Sequence, residues 1–309
     1  MKKKKLKILL VLSLVILTTG CTKNLTDSNN KIVKNEKTGQ TLTKNILCKP
    51  TKEYTTKIYK KNKINVDKLP ECKEFKITSG KYEGLWANIF VKPLAFILIQ
   101  VGIIIGNYGV SVILISLAIR FIAFPITKKT AMQSELIKKA QPELNRIQKK
   151  YENKKDQESM IKQNQEMMAV YKKYGINPMS GCLFAFLQLP IFIAFFEAVQ
   201  RVPVIFEDKF LGLQLGTTPS VGITSPTFYS YLILMILIAG TTFFSFKMNT
   251  STNQEDPTMK MMPTMMSVMI VITAIFMPTG LGIYWVTSNL FTIAQNILVK
   301  RSKVVHGKA

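Results

Sequence analysis

"LISLAIRFIAFPITKK", residues 114–129, is apolar almost throughout from Leu114 to Ile126 and carries Arg120 near its centre. With the residues before it, the run is long enough to cross a hydrocarbon core as a helix. Lys128 and Lys129 mark where it would meet water. Arg120 stands eight residues before Lys128, about 12 Å below that surface at the helical rise. A snorkelling side chain recovers on the order of 6 Å of this depth. An insertion cost of roughly 2.5–3.5 kcal/mol is then only partly relieved. A permanent charge placed so deep points to function rather than to packing.

The rest of the 309-residue chain agrees with a membrane setting. Its 42 Lys and Arg against 18 Asp and Glu give a net charge of +24, which suits an anionic membrane surface or nucleic acid. The apolar stretches favour the membrane, and part of the excess reflects a bias toward Lys. The pattern predicts an all-α polytopic membrane protein with five transmembrane helices, at 108–127, 179–202, 228–247, 259–277 and 283–299. Residues 1–21 read as a signal peptide, with a basic start (MKKKKLK), an apolar core at 8–17 and Thr18-Thr19-Gly20-Cys21. This ending resembles the bacterial lipoprotein type, which would lipidate Cys21. Leu17 stands one place further from the cysteine than is usual there, and an ordinary signal peptide with an incidental cysteine is the alternative.

Cys21, Cys48, Cys72 and Cys182 show no CxxC spacing, and His306 is the one histidine. Neither a metal site nor a cofactor is expected. Cys48 and Cys72 share the exported segment, and the sequence leaves open whether they pair; Cys182 reads as packing. Residues 22–82, rich in Lys, Asn and Thr and without sustained periodicity, are expected to be a mostly flexible exported segment. Residues 83–107 read as an interfacial helix in the outer leaflet, with Trp86 and Lys92 at headgroup level. Pro93 and the glycines of this stretch make a poor straight span.

Residues 128–178 hold 12 basic against 6 acidic residues, which places them in the cytoplasm. Met132, Leu136, Ala140, Leu144, Ile147 and Tyr151 recur at helical spacing, as do Met160, Asn164, Met167, Tyr171 and Tyr174. The two sets, parted by "NKKD" at 153–156, predict an antiparallel hairpin about 30 Å long, bent at Pro142. The loop at 203–227 and the turn at 278–282 would lie outside. The loop at 248–258 and the tail 300–309, with four basic residues and no acid, would lie inside, opposite an exported N-terminus.

Glu197 is the one acid in these spans, and it would stand about 10 Å further along the membrane normal than Arg120. That gap is too wide for an ion pair. The arginine is expected to meet water, headgroups or a partner that comes and goes. Ser116 precedes Arg120 by one turn, and Thr127 follows it by two. Gln188, the Thr241, Thr242 and Ser245 set, and the Trp285, Asn289, Thr292 and Asn296 set give three other helices a polar side. A hydrated groove needs such sides, although the same residues could serve as hydrogen-bonding glue between helices. Met259, Met261, Met262, Met265, Met266 and Met269, with Met160, Met167 and Met168 on the hairpin, would give surfaces that accept varied apolar sequences, or plain filler.

These features together resemble the YidC/Oxa-type membrane protein insertases over residues 84–299. The motifs that carry the likeness are "NYGVSVILISLAIRFIAFPIT", "QPELNRIQKKY", "YKKYGINPMSGCLFAFLQLPIFIAFF" and "MPTGLGIYWVTSNLFTIAQ". The lack of a large exported domain resembles the five-span Gram-positive-type form. The resemblance implies a groove open to the cytoplasm and to lipid but closed outside, with Arg120 as its arginine and Gln188 and Trp285 lining or supporting it. It implies a mobile hairpin and a non-enzymatic role in the bacterial cell membrane. The implied partners are nascent membrane proteins and lipids, with the ribosome and the secretion translocon, and no direct binding of nucleic acid. A small-anion transporter using Arg120 as its binding site is the rival reading, but the chain shows no internal repeat. An intramembrane enzyme would need HExxH, a Ser/His pair, paired carboxylates or a phosphate loop, and none stands in the spans.

Overall fold

The computed structural model describes residues 22–154, 156–177, 180–249 and 257–306. The expected signal peptide with Cys21 and most of the expected 248–258 loop lie outside the described residues. The main helices are α1 (Glu53–Lys61), α2 (Lys92–Ile105), α3 (Tyr108–Tyr151), α4 (Gln157–Lys173), α5 (Ser180–Arg201), α6 (Phe228–Asn249), α7 (Pro257–Ile275) and α8 (Thr279–His306). Strands β1 (Lys209–Phe210) and β2 (Leu213–Gln214) form one antiparallel hairpin, with Lys209 opposite Gln214 and Phe210 opposite Leu213. Among the described residues three helical runs are long and apolar enough to cross a membrane: Ala87–Ile105, Tyr108–Tyr151 and Phe228–Met248. The protein is thus a mostly helical membrane protein.

At 44 residues, α3 is about 66 Å long, against roughly 30 Å of hydrocarbon. Any span it makes must continue well beyond the bilayer. The first expected span and the first helix of the expected hairpin are one continuous helix, since α3 runs through both Pro125 and Pro142. Nothing near residue 128 competes with the helix. The Thr127, Thr130 and Ser134 hydroxyls donate back to the carbonyls of Phe124, Ile126 and Thr130 rather than unwinding it.

The chain divides into two compact units, the first comprising Met1–Ser116, Pro190–Met235 and Ala274–Trp285, and the second the remainder. In the first unit, residues 22–82 depart from the expected flexible chain. Backbone bridges join Asn24 to Thr43, Thr26 to Ile32 and Lys34 to Thr41. Leu25, Leu42, Ile46, Tyr59 and Val66 form a buried cluster completed by Phe206, and Cys48 is bonded to Cys72. So few apolar residues make a small core, and a core of this size needs a staple. Closing a loop across a sequence separation of 24 restricts the unfolded chain by about 3.5 kcal/mol. The segment also caps α5: Leu47 N donates to Arg201 O at 2.9 Å and Thr43 Oγ1 to Gln200 O at 3.1 Å, which satisfies carbonyls left open at the helix end. Thr51 adds two hydrogen bonds to Glu207, from its N at 2.9 Å and its Oγ1 at 2.5 Å.

Trp86 and Lys92, expected at headgroup level, are both buried within the protein. Lys92 Nζ donates to Ser79 O at 2.9 Å and Lys81 O at 3.0 Å. Pro93 is accommodated because the chain enters α2 through a widened π turn, Ala87–Val91. Two glycines allow the tight turn from α2 to α3. Gly106 has φ +77° and its N–H closes on Gly102 O as a left-handed helix cap. At Gly102, a Cβ would lie 2.2 Å from the Tyr108 ring.

In the second unit, the latter part of α3 packs against α4 running the other way. Ala140, Leu144, Val170 and Ile176 form the seam. Two similar clamps flank it. Glu143 accepts from Lys173 at 2.6 Å and Tyr174 at 2.8 Å; Glu166 accepts from Lys150 at 2.6 Å and Tyr151 at 3.0 Å. Each clamp is a glutamate on one helix and a Lys-Tyr pair on the other. Both carboxyls are held below the ordinary carboxylate range by those hydrogen bonds, from the lysine first and the tyrosine second.

Candidate functional site

Away from the α3–α4 seam, the second unit distributes polarity opposite to a water-soluble domain. Outward along its helices stand Phe121, Ile122, Ile236, Phe244, Leu290 and Leu298. Buried within it are Arg120, Thr127, Thr241, Thr242, Ser245, Ser288, Thr292, Gln295 and Asn296. Hydrocarbon on the outside reconciles the two sets, because the exposed apolar surface is then in its preferred medium.

The sequence builds this interior by helical spacing. Ser288, Thr292, Gln295 and Asn296 share one side of α8, and Thr241, Thr242 and Ser245 cluster on α6. Asn289 Nδ2 donates to Thr242 Oγ1 at 3.0 Å and, at 3.5 Å, to Thr241 Oγ1. Thr127 Oγ1 on α3 donates to Gln295 Oε1 at 2.8 Å. Phe121 and Phe124 meet Phe291 edge-on, with ring centres 5.0 and 6.4 Å apart. Arg120, 7% exposed, is the single cation among these buried side chains. Uncharged donors and acceptors with one guanidinium can hold water or a polar chain. They offer no nucleophile with a base. Among the described residues no group of three or more His, Cys, Asp or Glu could hold a metal.

Of the residues singled out from the sequence, Arg120, Gln188 and Asn289 belong to the second unit, and Ser116 and Trp285 to the first. Gln188 is half-buried. Asn289 is joined to the α6 threonines as described. Ser116 is buried and donates to Val112 O at 2.5 Å; Trp285 lies edge-on to Phe192 at 5.2 Å. Sequence reasoning did not single out Gln295 or Ser288, although the α8 spacing contained both.

It also missed a charged cluster in the first unit. Trp86 Nε1 donates to Glu197 Oε1 at 2.9 Å. Arg201 Nη1 approaches Glu197 Oε2 at 3.4 Å, its Nη2 pairs with Glu83, and its Nε donates to Asn45 O at 2.8 Å. The i,i+4 spacing of Glu197 and Arg201 was the available signal.

Comparison with known proteins agrees with this architecture. Residues 100–306 match the family described as 60Kd inner membrane protein. The chain is 36% identical over 231 residues to "Membrane protein insertase YidC 2" of Bacillus anthracis, covering 74% of this chain and 86% of that protein. It is 37% identical over 217 residues to "Membrane protein insertase MisCA" of Bacillus subtilis (strain 168), covering 70% and 79%. The solved structure titled "Active YidC insertase crystal structure with the first transmembrane domain resolved" superposes with a TM-score of 0.50 at 21% identity, over 79% of this chain and 50% of that one. The chain thus spans half the length of that structure, and the likeness is one of fold. On the extent of the family match and the identity and coverage of these relatives, the chain belongs to the YidC/Oxa-type membrane protein insertase family, in its Gram-positive-type form.

Proposed function

We propose that this protein is a membrane protein insertase of the bacterial cell membrane. In this reading α3 (its first part), α5, α6, α7 and α8 make five spans, α2 lies in the outer leaflet and the α3–α4 pair stands in the cytoplasm. The N-terminus is exported, with Cys21 as a lipid anchor, and the basic C-terminus is cytoplasmic. The observation that carries the reading is Arg120, 7% exposed, buried in the same unit as the polar side chains of α6 and α8, whose outward faces are apolar.

In this reading Arg120, Gln188 and Asn289, all of the second unit, belong to the groove. Water and the guanidinium there lower the cost of drawing a hydrophilic, often acidic, segment of a nascent protein partway into the bilayer. The substrate's apolar helix then leaves for lipid, and its burial in hydrocarbon supplies the driving free energy. Met261, Met265 and Met269 are exposed at four-residue spacing on α7, a flexible apolar stripe suited to substrates of varied shape. Pairing with Arg120 is transient, since a strong buried ion pair would trap the substrate. Insertion proceeds alone or beside the secretion translocon, with ribosome contact through the basic tail.

Expression in cells depleted of their own insertase tests the reading. Restored membrane insertion of a small single-span protein supports it. Failure of insertion, together with uptake of a small anion by vesicles holding the purified protein, replaces it with the transporter.

A further inference from the structure

The turn between β1 and β2 is Leu211-Gly212, and both residues have positive φ, +50° and +81°. A two-residue hairpin turn of this kind asks for Asn, Asp or Gly at its first position. Leucine suits left-handed backbone poorly, because its Cβ crowds the following carbonyl. Leu211 is also 77% exposed. In water this residue would carry both costs with no packing in return.

The hairpin does not let Leu211 turn inward. Phe210 sits so close to Gly109 that a Cβ there would lie 2.3 Å from that of Phe210. Tyr108 N donates to Asp208 at 2.9 Å and Asn107 Nδ2 to Lys209 O at 3.3 Å. On the other side Thr227 Oγ1 donates to Gly212 O at 3.0 Å. The turn is therefore fixed between the first residues of α3 and of α6, two helices long and apolar enough to cross a membrane. Tyr229, Leu232 and Ile233 are exposed on α6 at the spacing of one outward face. That face begins two residues after Thr227.

We propose that Leu211 is a lipid anchor, seated in the acyl region of the leaflet around the first turns of α3 and α6. Tyr229 marks the interface beside it, as amphipathic rings do, and exposed Lys209 reaches back to the headgroups. Glycine or asparagine would relax the turn and give up the acyl contact, which accounts for a leucine in this backbone. The anchor ties the loop after α5 to the membrane. The folded exported segment rests on that loop through Phe206 and Glu207, so it is held down as well. With the topology proposed above, the leaflet is the outer one; the anchor itself does not depend on the groove.

A nitroxide on Leu211→Cys tests this in the full chain, with Cys21 and Cys182 replaced by serine and the Cys48–Cys72 bond kept, in phosphatidylglycerol and phosphatidylethanolamine vesicles. Oxygen, which concentrates in hydrocarbon, should reach the label more readily than a water-soluble nickel chelate. Leu232→Cys should behave alike and Lys60→Cys oppositely. A label at 211 that follows Lys60→Cys overturns the proposal. Leu211→Asn supplies a second arm. Although it favours the turn, it should speed tryptic cleavage after Lys209 in vesicles, and unchanged or slower cleavage would likewise overturn the anchor.

Discussion

Trp86 Nε1 donates a 2.9 Å hydrogen bond to Glu197 Oε1, joining residues 111 apart in sequence. Arg201, 1% exposed, binds the other oxygen of Glu197 and also Glu83. The acid within α5 is therefore engaged with the chain leading into α2 and with the end of its own helix. A buried pair broken from one side leaves an uncompensated charge. Arg201→Ala should cost about 3–5 kcal/mol, read as a fall in thermal unfolding temperature in detergent. Trp86→Phe removes one donor and should cost less, about 1–3 kcal/mol. Equal unfolding temperatures for Arg201→Ala and the unaltered chain would show that the cluster does not hold these segments.

The Cys48–Cys72 bond staples a segment whose own core is small. Replacing both cysteines by serine should remove about 3.5 kcal/mol from that segment. Limited proteolysis would then cut within 22–82 while the helices from α2 onward stay intact. Resistance equal to that of the oxidised chain would mean that docking on Phe206 suffices.

The two glutamate clamps between α3 and α4 give a pH dependence with a definite sign. Glu143 and Glu166 have lowered folded pKa values, so their contribution is present above the ordinary carboxylate pKa of about 4.3. It is lost as pH falls through the lowered values. Lys150 and Lys173 are raised by the same pairs, so their part persists up to at least about pH 10. Amide exchange in α4, corrected for its intrinsic pH dependence, should stay flat from about pH 5.5 to 9 and quicken below about pH 4. Glu143→Gln with Glu166→Gln should flatten the acid limb; an unchanged limb would assign it to other groups.

Asn289 separates a groove from interhelical glue. As glue, its bonds to Thr241 and Thr242 would be worth about 0.6 kcal/mol, and Asn289→Ala would lower stability with insertion unchanged. As a groove residue, the same change should reduce insertion of hydrophilic tails several-fold at nearly unaltered unfolding temperature. Insertion assays and thermal unfolding on one preparation decide between them.

Legibility in the sequence followed the range of the interactions. α4, α6 and α8 were readable because their periodicity is local, and Arg120 stood out because a charge in an apolar run needs no partner to be noticed. The core of residues 22–82 was not, since its apolar residues arrive singly from bridges, α1 and a 3-10 turn and are completed by Phe206. Trp86 and Lys92 were read on their amphipathic chemistry alone, which does not show the partners they find in Glu197 and in the carbonyls of Ser79 and Lys81. Asn289 was marked by the spacing of α8, whereas Thr127 and Gln295 emerge as a pair only when α3 and α8 lie side by side.

Arg120 offers the most direct measurement. Cells depleted of their own insertase would express the intact chain, Arg120→Lys or Arg120→Ala at matched levels, and protease protection would report export of an acidic-tailed single-span protein. The intact chain should export the tail, Arg120→Lys should keep much of that activity, and Arg120→Ala should lose most of it while sparing a neutral-tailed substrate. Equal export of the acidic tail by the intact chain and Arg120→Ala would contradict a groove that works through this charge.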